Sequence, residues 1–367
     1  MSSQLESLRA AGHLSAIDVH FARARGRLAR ESRDEVLLAA ALTSHQVSGG
    51  HVCLDVGALV PADLGIPPEE IDLPERRDWL EALRDSEMVS DGDRKTPLVL
   101  DGRGWLYLHR YWHHEQVLAK YFQHHALSVD EEIDIDVLRE GLERLFPALP
   151  EGETDYQRLA ALMAVRRRFC VVSGGPGTGK TYTVVKILAL LVEQALARHG
   201  VPPHITLVAP TGKAATRLEE SIKGAKAGLV CTDAVRDAIV DKASTIHRCL
   251  GSIGGSGTVF RHDKNTPLVT DVVLVDEASM VNLGLMRRLV DALPPGARLI
   301  LLGDMDQLAS VEAGAVLGDI CNTGERGHYS KAFTADMSAL TGQTLNADAA
   351  APAEPGIWDC VAKLHKS

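Results

Sequence analysis

The sequence lacks the features that would place it in a membrane or in an oxidising compartment. Aromatic residues make up only 4% of the 367 residues, and apolar runs such as Ile187–Val192 are far too short to cross a bilayer. The N-terminus has no basic segment followed by an apolar one, so it predicts no secretory signal. The six cysteines are scattered and form no Cys-x-x-Cys pair, which favours reduced thiols in a cytoplasmic protein.

Positive charge is also in short supply. The sequence has 39 Lys and Arg against 49 Asp and Glu, a net charge of −10. This balance argues against a protein that coats polyanions, but it leaves room for a local basic groove. The apolar share of 45% and the charged share of 24% are ordinary globular values, which excludes wholesale disorder. At about 150 residues per domain, the length predicts two or three domains.

A dense histidine region is the one pattern that could suggest a transition-metal site. His109 and His113 have the four-residue spacing that can clamp a metal on a helix. No acidic general base stands between them, and the aromatic neighbours Tyr107, Tyr111 and Trp112 indicate a packed face. We therefore expect a structural role for these histidines.

The chain changes character near residue 150. The N-terminal part, 1–146, predicts a smaller, mainly helical α+β domain without a catalytic signature. Its elements are expected at Glu35–Ser44 and Trp79–Ser86 for helices, and at Val52–Leu54, Leu98–Leu100 and Trp105–Leu108 for strands. The Pro- and Gly-containing segment 147–154 is typical of a linker.

From residue 155 to 345, apolar strands alternate with amphipathic helices. The strands are expected at Cys170–Ser173, Ile205–Ala209, Val272–Asp276 and Leu299–Gly303, and the helices at Lys180–Arg198, Lys213–Ile222 and Leu283–Ala292. This alternation predicts an α/β domain with a parallel sheet and helices on both faces. The Ala-, Asp- and Pro-rich segment Asn346–Gly356 is expected to be a linker or an exposed insertion.

A complete phosphate-binding loop is the strongest signal in the sequence. Gly174, Gly175, Pro176, Gly177, Thr178, Gly179, Lys180 and Thr181 match the pattern at every specified position, between a predicted strand and a predicted helix. Glycines let backbone N–H groups approach phosphates, and the helix N-terminus adds positive potential. Lys180 would contact the β and γ phosphates, and the Thr181 hydroxyl would ligate Mg²⁺. The sequence therefore predicts a nucleoside triphosphate, ATP, with Mg²⁺.

Two carboxylates follow the apolar run at Val272–Val275. We expect Asp276 to hold Mg²⁺ and Glu277 to orient and deprotonate the attacking water. By itself such a pair is often a solvated helix start, but the phosphate loop upstream favours the catalytic interpretation. Gln307 follows the next strand and could sense the γ phosphate, although without that context it would be a surface polar residue.

Two further segments suggest contacts with a nucleic-acid backbone. Thr211 and Lys213 open a helix after a predicted strand, and Thr245 and His247 supply another hydroxyl and an imidazole. The alternative for each is a capped helix and a packed histidine. Gln157 precedes the phosphate loop by one predicted helix and could read the adenine edge.

Together these motifs resemble superfamily 1 helicases, and within them the RecD family, the α subunit of exodeoxyribonuclease V. The resemblance is carried by the phosphate loop, Pro210–Ala215, Thr245–Arg248, Asp276–Met280 and especially Gly303–Gly314. It extends to the N-terminal part, where Leu14–Ala22 and Ala39–Leu54 look like the segment of that family that docks on RecC. The resemblance thus covers nearly the whole chain.

The resemblance implies a DNA-dependent ATPase with a RecA-like P-loop NTPase fold. Such a motor moves 5′ to 3′ within a heterotrimer with RecB and RecC that repairs double-strand breaks. By the same resemblance, Gln157 would contact the base, Asp276 and Glu277 would be the metal and water residues, and Gln307 the γ-phosphate sensor. Thr211, Lys213, Thr245 and His247 would lie along single-stranded DNA.

Family members continue into a second motor domain that holds two arginine-bearing motifs. The last residues, Leu364–Ser367, resemble the run that leads into the first of these. An arginine at the transition state is worth roughly 10³–10⁵ in rate in nucleotide hydrolases. We therefore expect the 367-residue chain to bind Mg²⁺-ATP and to be impaired in hydrolysis and unwinding.

Two other function classes stay open at this point. The chain could be a non-catalytic module that binds RecC, or part of a free-standing RecD-like helicase. Relatives of the second kind usually carry a longer N-terminal extension with DNA-binding helices, for which the sequence shows no pattern.

Overall fold

The computed structural model describes residues 3–130, 132–147, 154–254, 259–305, 307, 313–322, 329–341 and 352–365. The chain forms two compact units, one built mainly from residues up to Val117 and the other mainly from residues after it. Within the described ranges, no helix is both long enough and apolar enough to cross a membrane.

The first unit combines helices with a small mixed sheet. Its elements are the helices α1 (Ser3–Ala10), α2 (Ala16–Ala29), α3 (Asp34–Ser48) and α4 (Arg76–Arg84) and the strands β1 (Cys53–Asp55), β2 (Val89–Ser90), β3 (Leu98–Leu100) and β4 (Trp105–Leu108). The strand order is β1-β4-β3-β2, with only the β2–β3 pair parallel. Leu38, Leu42, Trp79 and Leu83 are buried in its core, where apolar area removed from water stabilises the unit. This is the mainly helical α+β domain that the sequence predicted.

The division between the units falls within α5 (His109–Leu127). The second unit then contains the following helices and strands: α6 (Ile135–Leu145), α7 (Tyr156–Arg166), β5 (Phe169–Ser173), α8 (Lys180–His199), β6 (Ile205–Ala209), α9 (Gly212–Ala227), α10 (Asp233–Ala238), β7 (Ala243–Thr245), α11 (Ile246–Leu250), β8 (Val272–Val275), α12 (Leu283–Asp291), β9 (Arg298–Gly303), α13 (Val316–Asn322), α14 (Lys331–Thr341) and β10 (Val361–Lys363).

A fully parallel sheet organises this second unit. Its strand order is β10-β5-β9-β8-β6-β7, and every neighbouring pair is parallel. Every residue of β5, β8 and β9 is buried, which requires cover on both faces of the sheet. The parallel sheet predicted from the alternating pattern is confirmed. Because parallel strands end at one edge, the segments that follow them lie along the same side of the sheet.

The compact division differs from the sequence prediction, which placed the first domain at 1–146. Residues after Val117 pack with the parallel sheet instead: Leu138, Leu142 and Leu145 of α6 lie in the same core as Leu188 of α8. Asp130 pairs with Arg298 at the start of β9, with 3.1 Å between carboxylate and guanidinium.

Part of the C-terminal segment 346–367, which was expected to be a linker or the start of a second motor domain, forms a strand of the second unit's sheet. Val361–Lys363 pairs with β5 in register, Val361 opposite Val171 and Lys363 opposite Ser173, so it is an edge strand of the sheet. A run of three residues is too short to be predicted as a strand from sequence, because it is recognisable only by the strand with which it pairs. The predicted linker residues 148–153 and 346–351 lie outside the described residues.

Candidate active site

The phosphate-binding loop connects the buried strand β5 to the long helix α8. Gly174 N donates to Gly303 O of β9 at 3.1 Å, which ties the start of the loop to the neighbouring strand. Thr178 closes the loop internally, because its Oγ1 donates to Gly175 O at 2.9 Å. Gly177 and Gly179 have φ of +81° and +80°, a region where an L side chain is strained. The loop conformation thus requires glycine at these two positions.

Lys180 and Thr181 occupy the first two positions of α8, where helix N–H groups have no intrahelical partner. Lys180 Nζ donates to the carbonyl oxygens of Gly174 and Gly175, so its charge lies over the loop. This arrangement fits an anion held by loop N–H groups, the helix N-terminus and one ammonium. The Thr181 side chain is half-buried beside the loop.

Asp276 and Glu277 follow β8 directly. Asp276 N donates to Val208 O of β6 at 2.9 Å, which continues the sheet by one residue and fixes the carboxylate at the sheet edge. Glu277 has φ 51° and ψ 42°, the left-handed region. This conformation costs a non-glycine residue about 1–2 kcal/mol, a strain that is typical of functional sites.

The two carboxylates and Lys180 interact electrostatically. Burial raises the pKa of the Asp276 carboxyl above its ordinary value. A backbone hydrogen bond from Glu277 lowers that pKa, the Glu277 carboxylate raises it, and the Lys180 ammonium lowers it. The phosphate loop and the acidic pair therefore share one electrostatic environment, although they are almost a hundred residues apart in sequence.

Asp304 is a residue of this site that sequence reasoning did not select. It follows β9, its side chain is only 6% exposed, and its Oδ2 lies 3.8 Å from where a Cβ on Gly175 would be. A single acidic residue after an apolar strand is a weaker signal than the pair Asp276 and Glu277, and only its position beside Gly175 brings Asp304 into the site. Gln307, which follows the same strand and which the sequence predicted as a γ-phosphate sensor, is exposed, and its N donates to Asp304 O at 3.3 Å. Most of the segment 306–312 lies outside the described residues.

Gln157 lies against the phosphate loop. Its backbone N donates to Asp155 Oδ1 at 3.0 Å at the start of α7, and its Nε2 donates to Thr178 O at 3.4 Å. A Cβ on Gly179 would lie only 2.8 Å from Gln157 Nε2. The Gln157 side chain therefore lies beside the phosphate loop.

The predicted nucleic-acid residues lie at the other end of the same edge. Ala209 of β6 is opposite Thr245 of β7, so the helices α9 and α11 start side by side. Thr211 Oγ1 accepts from Ala214 N at 3.2 Å and Thr245 Oγ1 from Arg248 N at 3.2 Å, so both hydroxyls cap their own helices. Lys213 is exposed.

His247 belongs to the same surface. It is half-buried, with its ring 5.8 Å from that of Phe260. Helix capping by the two threonines and packing of His247, the alternatives to a nucleic-acid contact, are thus both observed. Neither excludes a backbone contact, because each threonine hydroxyl keeps its proton to donate and Lys213 is open to solvent.

Oxygen donors at the loop suit magnesium. Mg²⁺ prefers carboxylate and hydroxyl oxygens together with phosphate, which are the groups that Asp276 and Thr181 supply. The Ser279 hydroxyl nearby is buried and has no hydrogen-bond partner among the described residues, as expected beside a polar ligand site. A cluster of three or more His, Cys, Asp or Glu side chains that could hold a metal is absent from the described residues, including the histidines of α5.

Two family models match the chain. Residues 157–313 match the model of an AAA domain, and residues 10–107 match the model of the RecBCD enzyme subunit RecD, N-terminal domain. The two matches fall on the second and the first compact unit respectively.

Curated relatives cover both units as well. The chain is 42% identical over 323 residues to the RecBCD enzyme subunit RecD of Mycobacterium tuberculosis, which is 87% of this chain and 52% of that protein. It is 43% identical over 150 residues to the ATP-dependent RecD2 DNA helicase of Deinococcus radiodurans, 41% of this chain and 17% of that protein. The chain spans about half the length of the RecD proteins it matches.

Among solved structures, the chain is similar to the UvsW helicase from bacteriophage T4. The TM-score is 0.33 at 10% identity, over 49% of this chain and 63% of that one. This likeness is too low to bear on function.

Proposed function

The chain belongs to the RecD family, and from that premise we propose that it acts as part of an ATP-dependent DNA helicase that moves 5′ to 3′ within exodeoxyribonuclease V, in double-strand-break repair and recombination. The observation that carries this proposal is the shared sheet edge. There Lys180 of the phosphate loop acts on the buried carboxyl of Asp276, while Thr211 and Thr245 start helices at the far strands.

Within this site we assign each side chain one task. Gly174 to Thr181 hold the phosphates through backbone N–H groups, and Lys180 places its charge against them. Thr181 and Asp276 hold Mg²⁺, which offsets phosphate charge when bound. Glu277 orients the attacking water and accepts its proton, Gln307 senses the γ phosphate, and Gln157 reads the adenine edge.

DNA would run past the starts of α9 and α11. Thr211 and Thr245 would donate their hydroxyl protons to phosphate oxygens, Lys213 would supply charge, and His247 would border the strand. Strand β8 lies between this DNA surface and the phosphate loop. The separation suits a motor, in which a conformational change driven by nucleotide hydrolysis must reach the DNA.

The proposed partners are RecB and RecC, because the matched N-terminal family model and the relatives named as RecBCD subunits imply assembly. A free-standing helicase is less favoured. The relative named RecD2 matches only 150 residues of the chain, whereas the RecD subunit of Mycobacterium tuberculosis matches 323.

For the 367 residues by themselves, we propose that Mg²⁺-ATP binds and that hydrolysis and unwinding are impaired. The support is that the chain spans about half the length of its relatives, while the two arginine-bearing motifs expected from the resemblance belong to the other half. A transition state without such an arginine is slower by roughly 10³–10⁵ in well-studied hydrolases.

The test is to compare the purified chain with Lys180→Ala, using Lys223→Ala, an exposed lysine on α9, as the matched control. A fluorescent ATP analogue should bind the wild type and the control but not Lys180→Ala, and single-stranded DNA should raise turnover little. Absence of nucleotide binding would remove the proposed ATP site. Strong DNA-stimulated turnover that Lys180→Ala abolishes would contradict the impairment and would also dismiss a purely non-catalytic module.

A further inference from the structure

Lys186 on α8 is a buried lysine that has no task among the residues proposed for the nucleotide. It is only 5% exposed, although lysine side chains are almost never fully buried unless they are paired. Its Nζ lies 4.3 Å from the centre of the Phe146 ring and 4.5 Å from the centre of the Tyr182 ring. The ammonium is therefore held against two aromatic rings, whose faces attract a cation electrostatically.

The charge of Lys186 also connects it to the start of α7. Burial lowers the pKa of the Lys186 ammonium, and the carboxylate of Asp155 raises it. Asp155 is the buried cap whose Oδ1 accepts from Gln157 N at 3.0 Å. A methionine would fill nearly the same space without the cost of burying a charge, so packing by itself does not account for a lysine here.

Tyr182 is the exposed member of this group. It lies in the first turn of α8, directly after Lys180 and Thr181, and it is 46% exposed, whereas Phe146 is 1% exposed. The Tyr182 ring thus contacts the buried ammonium and is also open to solvent beside the phosphate loop. An exposed aromatic ring in such a place is a surface on which a nucleotide base can stack.

The helical period places the Tyr182 ring and the Gln157 amide along one face of α8. Gly179, Tyr182 and Lys186 follow at spacings of three and four residues, so they lie one above the other. Gln157 approaches the same face, because a Cβ on Gly179 would lie only 2.8 Å from Gln157 Nε2. A base whose edge meets the Gln157 amide would therefore have the Tyr182 ring beside it.

We propose that the Tyr182 ring is the platform on which the purine base of the nucleotide stacks, and that Lys186 is the residue that positions this ring. The inference rests on the ATP site proposed above and adds the selection of the base. The cation–π contact holds the Tyr182 ring, and the neighbouring Asp155 cap holds Gln157, so both contacts to the base depend on one buried cluster. A purine stacks over a larger area than a pyrimidine, so ATP should bind more tightly than CTP.

The experiment measures the affinity of the full chain for ATP, CTP and inorganic tripolyphosphate, each with Mg²⁺, by calorimetry. Tripolyphosphate can occupy the phosphate loop but has no base, so the ratio of the ATP affinity to the tripolyphosphate affinity isolates the contribution of the base. Tyr182→Leu should weaken ATP binding by roughly fivefold or more, as expected for a lost base–aromatic stack, and should leave tripolyphosphate binding unchanged. Tyr182→Phe keeps the ring and should bind both ligands as the wild type does.

Lys186→Met tests the positioning residue, with Lys223→Met on α9, where the lysine is exposed, as the matched control. Lys186→Met should weaken ATP binding by roughly two- to fivefold, the value of a cation–π contact, without changing tripolyphosphate binding. The control should change neither affinity. A purely structural loss at Lys186 would lower the melting temperature and leave the ratio of the two affinities as it is in the wild type.

The outcomes separate this inference from the ATP site on which it rests. If the wild type binds neither ATP nor tripolyphosphate, the proposed ATP site fails, and the platform with it. If the wild type binds both and Tyr182→Leu binds ATP equally well, the platform is overturned while the phosphate site stands. If Lys186→Met weakens ATP and tripolyphosphate binding equally, Lys186 acts on the phosphates and does not position the ring. Equal affinity of the wild type for ATP and CTP would overturn the selection of a purine.

Discussion

The surroundings of Asp276 change the pKa of its carboxyl group. The carboxyl group follows a fully buried strand, and burial raises its pKa. An ionised carboxylate in this position destabilises the folded chain, because the folded state binds a proton more tightly than the unfolded state does. Under the proposed function, binding of Mg²⁺ would offset this cost, because Mg²⁺ prefers an ionised carboxylate as a ligand.

Because the folded-state pKa of Asp276 is raised, the stability of the chain depends on pH in a predictable direction. The destabilisation is complete above the raised folded-state pKa and absent below the ordinary Asp value of about 3.9. Asp276→Asn should therefore raise the melting temperature at neutral pH without metal, and the gain should shrink as the pH falls toward about 4.

Adding Mg²⁺-ATP should reverse the order at neutral pH, because only the wild type gains from the metal. Thermal melts at several pH values, with EDTA and with Mg²⁺-ATP, provide the measurement. A constant difference between wild type and variant across the pH range would show that ionisation of Asp276 is not the cause.

At the scale of elements, the start of α7 connects local capping to the nucleotide site. Asp155 is buried, and its Oδ1 accepts from Gln157 N and Arg158 N at 3.0 and 2.9 Å. The same cap therefore begins the helix and positions the residue that lies against the phosphate loop. Asp134 caps α6 in the same way, accepting from Asp136 N and Val137 N, both at 3.1 Å.

These two caps make a matched pair of variants. Asp155→Ala and Asp134→Ala should each lower the free energy of unfolding by about 1 kcal/mol, the usual value of a lost N-cap. Only Asp155→Ala should also weaken ATP binding, by several-fold, because only that cap holds Gln157. Urea unfolding and titration with a fluorescent ATP analogue separate the two effects. Asp155→Asn keeps a capping oxygen and should restore binding, and equal ATP affinity in both alanine variants would disprove the link.

At the scale of the whole molecule, strand order decides which motifs meet. The phosphate loop and the acidic pair follow β5 and β8, which are separated only by β9. The proposed DNA residues follow β6 and β7 at the far end of the sheet. Nucleotide and nucleic acid are thus assigned to different parts of one edge.

The salt dependence of DNA binding tests the role of Lys213. Of the four residues proposed along the DNA strand (Thr211, Lys213, Thr245 and His247), Lys213 is the one lysine. Each phosphate contact to a single strand contributes about −0.7 to the slope of log affinity against log salt. Lys213→Ala should therefore make the slope less negative by about 0.7.

Lys223→Ala, farther along α9, should leave that slope unchanged. Fluorescence anisotropy of a labelled oligonucleotide between low and moderate salt gives both values. The same slope in Lys213→Ala and the wild type would remove Lys213 from the DNA surface.

A feature could be predicted from sequence wherever its residue pattern is complete within a few consecutive residues. The loop Gly174–Thr181 needs particular glycines at particular positions, and the buried run Val272–Val275 needs a sheet on both sides, so both could be predicted from sequence. Asp304 was missed because one acidic residue after a strand acquires meaning only beside Gly175. The residue roles proposed for the nucleotide and DNA remain predictions until they are tested.

The sequence by itself determined the strands β5, β6, β8 and β9, the helices α8, α9 and α12, the parallel arrangement of the sheet and the residue types of the nucleotide site. These follow from periodicity and from local stereochemistry. Tertiary structure alone decided that α6 belongs to the sheet unit, that Val361–Lys363 adds an edge strand, and that Asp304 joins the loop. It also decided that Lys186 lies against the rings of Phe146 and Tyr182. The physical reason is common to all four: each depends on which distant segment buries a surface, and no local pattern records its partner.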